Sequence, residues 1–298
     1  MTTTMRSRFY DLVGQALDDD PRVALVLAEI GISQLTGDHE RIFNVGIREQ
    51  LMIGVASGLA FEGLRPVVHS YTPFLVERPY EQVKLDLGHQ DVGAVLVSTG
   101  ASYDGARSGR THQAPADVAI LSALPGWTIR VPGHPDELER HLRAALAGDD
   151  RVYIRMSEEA NAAPVHADGL SVVRRASERA PVALAVGPAL DETLAATADL
   201  DVTVAYLSTV RPFDAAGLRE VASTDVVLVE PYLAGTSAAE VSAALSDRPH
   251  RLLSLGVHNE EVRRYGAGSD HRAAHGLDAA GIRGSMDDFL GVSVRAVG

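Results

Sequence analysis

Along the whole chain, short apolar runs rich in β-branched residues alternate with stretches of helical periodicity. Residues 23–27, 67–69, 94–98, 128–131 and 152–155 each read as a buried strand, and the alternation predicts a parallel sheet covered by helices. Between residues 158 and 181 the pattern breaks into NAAPVHADGL and a charged stretch, RRASERA, which marks a domain boundary. Beyond it the same grammar resumes, with strands expected at 182–186, 202–207, 226–229 and 252–255 between alanine-rich helices. The reading is α/β: two largely parallel, three-layer domains over residues 1–165 and 175–298, each with its own core.

Composition narrows the chemistry. With no cysteine, the chain has no disulfide, zinc–thiolate site, iron–sulfur cluster or thiol nucleophile. Lys84 is the single lysine, so Schiff-base chemistry has one candidate. A formal net charge of −13 argues against nucleic acid, whose phosphates call for a basic surface, and favours a small-molecule role. The N-terminus MTTTMRSRFYDLVGQAL lacks the apolar core of a signal peptide, and no apolar run is long enough to cross a bilayer. A cytoplasmic protein without a membrane partner is expected.

Residues 41–83 are the most informative segment. Gly46 marks a turn after an extended stretch, and Glu49 and Gln50 then open a helix. In it Gly54, Ala56, Ser57, Gly58 and Ala60 leave almost no side-chain bulk. Each helical glycine costs roughly 1 kcal/mol relative to alanine, so Gly54 and Gly58 call for a compensating contact, most simply close packing against a partner helix or sheet. A glutamate in a first helical turn normally serves the helix dipole. What surrounds Glu49 points further.

Asn44, Gly46, Ile47, Glu49, Gln50, Met52 and Gly54, then GLA, a turn with Gly63 and Pro66, and an aromatic cluster ending in Arg78 and Gln82, resemble the pyrimidine-binding domain of the transketolase family. The resemblance implies that Glu49 bonds the aminopyrimidine of thiamine diphosphate and shares a proton with it, which prepares the cofactor's thiazolium carbon for reaction. It implies that Phe74, and after it Tyr71, clamp the flat ring, with Ile47 also on the cofactor. Arg78 and Gln82 are alternatively residues of a seam between subunits. Downstream, a glycine-rich loop over residues 99–110 leads into Thr111, His112 and Gln113, similar to the family's Thr-His-Gln element. By that resemblance His112 handles substrate oxygens and protons, and His69, Ser102 and Arg155 join it as substrate contacts.

The departures bear on substrate and partner. Sugar-phosphate transketolases carry a histidine near the position of Gly100 and an aspartate near Ser108, and a phosphate-gripping arginine falls at Glu158. A carboxylate there repels phosphate, leaving Arg155, Arg107 or Arg110 as possible replacements. The family's Gly-Asp-Gly magnesium and diphosphate motif is absent; neither Gly37–Asp38 nor Gly148–Asp149 has an asparagine at suitable spacing among Asn44, Asn161 and Asn259. No metal ligands are therefore expected in this chain. An N-terminal transketolase-like subunit is expected to hold Mg²⁺ and the diphosphate, in an α2β2 assembly. From Pro181 onward, VALAVGPALDETL, STVRPFD, VVLVE and HGLDAAGI resemble the family's C-terminal domain. The resemblance implies the C-terminal subunit of a two-component enzyme that moves a two-carbon ketol or acyl unit from a 2-keto donor to an aldehyde or related acceptor. A β-subunit of a 2-oxoacid dehydrogenase E1-like enzyme and a non-catalytic regulatory subunit of the same fold stand as rival readings.

Overall fold

The structure, a computed structural model, describes residues 4–35 and 40–291; the Gly37–Asp38 pair lies outside the described residues. The strands of the first half are β1 (Val23–Leu27), β2 (Ile42–Asn44), β3 (Arg65–Tyr71), β4 (Val95–Thr99), β5 (Trp127–Arg130) and β6 (Arg151–Arg155). Those of the second are β7 (Ser171–Arg174), β8 (Val182–Val186), β9 (Thr203–Leu207), β10 (Thr209–Arg211), β11 (Asp225–Leu233) and β12 (Arg251–Val257). The first helices are α1 (Met5–Asp19), α2 (Glu49–Phe61), α3 (Tyr80–Gln82), α4 (Asp117–Ser122) and α5 (Pro135–Leu146). They are followed by α6 (Leu190–Ala196), α7 (Ala215–Val221), α8 (Ala238–Ala244), α9 (Gly268–Ala274) and α10 (Ala279–Leu290). No helix among the described residues is long and apolar enough to cross a membrane.

The fold is α/β with two largely parallel sheets. The first runs β10-β5-β6-β4-β3-β1-β2, and its only antiparallel strand is β10, lent by the second half of the chain. The second runs β12-β11-β8-β9-β7, with β7 antiparallel at its edge. Every expected apolar run coincides with a strand. The unforeseen strands, β2, β7 and β10, are short and lie at sheet edges. An edge strand needs no continuous apolar run, so the pattern that revealed the others is missing from them.

Strand residues alternate between the two faces of the first sheet. Val26, Val68 and Leu96 join a core with Met52 and Ile53 of α2 and Leu121 of α4. Leu25, Val67 and Val95 join another with Phe9 of α1 and Leu138 and Leu142 of α5. The first of these cores continues into the second sheet through Leu184, Leu207 and Leu228. The second sheet's other face packs Val227 and Val229 with Ile282 and Met286 of α10. The apolar interior thus crosses the expected boundary, because β10 carries the second half onto the first sheet.

Candidate active site

The carboxyl ends of parallel strands are where α/β sheets place their binding groups. Here Tyr71 ends β3 and Gly100 follows β4. Thr72 donates to Thr99 O at 3.1 Å and ties the two strand ends together. Gly100 has φ +76°, and a Cβ on it would lie 2.7 Å from the Tyr71 ring. Glycine at this position both permits the turn and leaves room for the tyrosine.

After β3 the chain makes a π-helical turn over Pro73–Glu77, closed by Arg78 N donating to Pro73 O at 3.0 Å. Such wide turns recur at functional positions. This one carries Phe74 and brings Arg78 back over it, the guanidinium carbon 4.2 Å from the ring centroid. Arg78 Nη1 also donates to Glu49 Oε1 at 2.6 Å. Glu49, the first residue of α2, is 3% exposed, and no hydrogen bond reaches its other carboxylate oxygen among the described residues. Asn44 sets the approach to this helix: its Oδ1 accepts from the amides of Glu29 and Gly46, at 3.0 and 3.1 Å.

His112 comes to the same place from the loop after β4. Its ring meets Phe74 at 5.1 Å and Tyr71 at 5.5 Å between centroids, edge-on in both cases. A Cβ on Gly105 would lie 2.9 Å from His112 Cβ, so this glycine lets the loop fold back on the histidine. Thr111 Oγ1 lies 3.0 Å from His112 Nδ1. From Glu49 through Arg78 and Phe74 to His112 the contacts are continuous, and at the last of these residues they meet a cleft of about 450 Å³ that His112 lines with Tyr71, Asp104, Arg107, Ser108 and Glu158.

Asp104 was not foreseen. Its Oδ2 accepts from the amides of Ala101 (3.0 Å) and Glu158 (2.9 Å), joining the loop to the turn after β6. Burial pushes its carboxyl up to about 7 against those hydrogen bonds and the nearby Arg155. Arg6 of α1, also unforeseen, reaches Tyr71 OH at 3.5 Å and lies 5.5 Å from the ring centroid. A lone acid in the glycine-rich loop, between Tyr103 and Gly105, was the one available signal for Asp104; for Arg6 there was none.

Three expected substrate contacts are engaged inside the protein instead. His69 is wholly buried, with Nδ1 2.8 Å from Val97 O and Nε2 3.0 Å from Tyr10 OH, and burial holds it down to about 4. Arg155 is 1% exposed; its Nε donates to Asp117 at 2.8 Å and its Nη2 to Ser102 Oγ at 2.6 Å. Ser102 in turn donates to Pro231 O at 2.7 Å. Arg155 is therefore no substitute for the missing phosphate-gripping arginine, and Arg110 is paired with Glu261, leaving Arg107 as the arginine on the cleft. Ile47, expected on the cofactor, is 72% exposed just before α2.

Residues 2–162 match the family described as transketolase, pyrimidine binding domain. The chain is 51% identical to the "Uncharacterized 33.6 kDa protein in fasciation locus" of Rhodococcoides fascians, over 97% of this chain and 96% of that one. It is 32% identical to the 1-deoxy-D-xylulose-5-phosphate synthase of Albidiferax ferrireducens and 33% identical to that of Leptothrix cholodnii, in each case over 95% of this chain and 48% of the relative. The chain spans about half the length of these synthases. The fold is shared with a split-gene transketolase seen as an inactive β4 tetramer (TM-score 0.82, 21% identity, 98% of this chain and 99% of that one). It is shared too with the transketolase of Campylobacter jejuni (TM-score 0.77, 18% identity, 96% of this chain and 46% of that one). The chain belongs to the transketolase family of thiamine diphosphate-dependent enzymes and corresponds to its C-terminal section.

Proposed function

We propose that this chain is the C-terminal component of a two-chain, thiamine diphosphate-dependent enzyme that transfers a two-carbon unit from a 2-keto donor to an aldehyde or related acceptor. The observation that carries the reading is Glu49: a buried carboxylate at a helix start, one oxygen held by Arg78 and the other unbonded. A carboxyl oxygen left free to share a proton is what an aminopyrimidine nitrogen needs, so the residues present fit the pyrimidine half of the cofactor. Thiamine diphosphate, when bound, supplies an acidic carbon that adds to a keto group and holds the carbanion equivalent left by carbon–carbon cleavage. Glu49 would exchange a proton with the ring. Phe74, with Tyr71 beside it, would fix the ring's plane, and His112 would hold or move a proton on the substrate oxygen.

The diphosphate and Mg²⁺ are assigned to a separate N-terminal chain, because Gly-Asp-Gly is absent from the sequence. A docking face for that chain is available on α2 and the turn before it, where Ile47, Leu51 and Phe61 are 72%, 50% and 59% exposed. Two such pairs would make an α2β2 assembly. Glu158 and Asp104 on the cleft, with Arg107 the arginine beside them, favour a donor that carries no phosphate there.

The test is reconstitution with the N-terminal partner, Mg²⁺ and the cofactor, followed by calorimetry and product analysis. Trp127 starts β5, at the opposite end of the sheet from the cleft, so its fluorescence is a poor reporter. Expected are no binding of the cofactor by this chain alone at micromolar concentration, binding by the pair, and a new ketol product. Glu49→Gln should lower kcat by roughly 10²-fold or more. Full activity in that variant would leave a regulatory subunit as the better reading, and acyl transfer to a lipoyl group would identify E1-type chemistry.

A further inference from the structure

The loop after β12 and the end of α9 bring together side chains that the site above does not use. His258 and Glu260 stand on the loop and are exposed; His275 directly follows α9 and is 5% exposed. One ligand atom from each of the three lies within 4.8 Å of those of the other two. We propose that His258, Glu260 and His275 bind a zinc-class divalent cation, with water completing the coordination.

The donor chemistry selects the ion. Two imidazoles and one carboxylate suit Zn²⁺, Co²⁺ or Ni²⁺, whereas Mg²⁺ and Ca²⁺ want oxygen ligands throughout. The geometry is close to what is needed and partly fixed. The rings of His258 and His275 lie 5.0 Å apart at 89°. His275 Nδ1 already faces the loop, where it accepts only a long 3.3 Å bond from the His258 amide, so a cation that took this lone pair would displace a weak interaction. Tyr103 stacks on the His275 ring, 6.1 Å away at 19°, and on His271 one turn earlier, 5.7 Å away at 16°. That stacking fixes the buried ligand's orientation, as supporting contacts do at metal sites. Both partners on the loop are free to close by rotation of exposed side chains.

The site adjoins the cleft. Between its loop ligands and His275 the chain passes Tyr265, against which a Cβ on Gly109 would stand at 2.6 Å, and then Gly266, Ala267 and Gly268, the first residue of α9, all three of which line the cleft. A bound cation would tie the loop that leads into this wall to the end of α9. The inference does not depend on the catalytic reading, and its test reads no enzyme activity.

The full chain, freed of any histidine tag and stripped with chelator, is titrated with Co²⁺ while the visible d–d absorption is followed, then with Zn²⁺ in competition. One saturable Co²⁺ site displaced by Zn²⁺ is expected. His258→Ala and Glu260→Gln, both at exposed positions, should each weaken it by roughly tenfold or more with unchanged melting temperature in the metal-free protein. His275→Ala is the third variant, with a melting curve to confirm that it folds. Absence of saturable binding below about 100 μM, binding undiminished in both exposed-position variants, or equal competition by Mg²⁺ would overturn the proposal.

Discussion

Arg78 touches both Glu49, the proposed catalytic carboxylate, and Phe74, the proposed ring clamp. Its Nη1 holds Glu49 at 2.6 Å while its guanidinium lies over Phe74. Replacing it by methionine keeps much of the bulk over the ring but removes the charge, so a nearly buried Glu49 loses its hydrogen bond and Phe74 its cationic neighbour. Misplacing reacting groups by about an ångström costs as much as 10²-fold. Arg78→Met should therefore lower kcat of the reconstituted enzyme by roughly ten- to a hundredfold, less than Glu49→Gln, with little change in the KM of the acceptor; steady-state kinetics on both variants checks the order. At this scale the sequence was informative where a motif fixes a backbone position. Glu49, Phe74 and His112 could be singled out because turn, helix start and glycine loop surround them, and the structure brings the three together through Arg78 and the ring contacts. His69 and Arg155, expected on substrate, face Tyr10 and Asp117, because a polar residue in a buried strand reads the same whether its partner is a ligand or the protein. Arg78 was noticed, but its contact with Glu49 follows from the wide turn at Pro73–Glu77, which no residue pattern announced.

Helix α2 is the element whose composition the isolated chain leaves unexplained. Gly58 is exposed, and an added Cβ would meet nothing within 4 Å; at Gly54 it would meet only Asp86 Oδ2, at an ordinary 3.7 Å. The close contact expected of these glycines is thus not supplied among the described residues, while Ile47, Leu51 and Phe61 are exposed on or just before the same helix. A partner element approaching closely would supply it. Gly58→Ala separates the two states: in the isolated chain it should raise stability by up to about 1 kcal/mol, the helix-propensity difference, whereas docking of the N-terminal chain should weaken. Urea unfolding and calorimetric titration with the partner measure the two effects. Undiminished docking would remove α2 as the interface. The helix itself was legible from its start signal and small residues, as were the strands buried on both faces. The edge strands escaped because half-exposed positions such as those of β10 carry no continuous apolar signal.

At the scale of the whole molecule the two halves are latched by polar groups as well as by shared core. Glu137 of α5 is fully buried, with its carboxylate accepting from the amides of Gly133 and Val165 (2.8 and 2.7 Å) and from Tyr206 OH of β9 (2.5 Å). One turn on, His141 Nδ1 lies 2.9 Å from Arg130 Nη1 and its Nε2 3.0 Å from Ser208 Oγ, between β9 and β10. Arginine can only donate, so Nδ1 must be the acceptor and the ring neutral, with Nε2–H directed at Ser208. Burial, with Arg130 and Arg140 nearby, depresses the imidazolium from 6.5 to about 3. Because the folded value lies below the unfolded one, the unfolded chain binds the extra proton between them. The contribution of this latch is present above pH 6.5 and is lost as pH falls toward 3. By pH 5 the loss from this histidine alone should be about 2 kcal/mol. His141→Gln offers neutral acceptor and donor groups that do not titrate, so its unfolding free energy should fall less than the wild type's between pH 7.5 and pH 5, even if it is lower at both. Urea titrations of the two proteins at the two pH values give the comparison, and equal losses would mean that acid enters the fold elsewhere and leaves this seam closed.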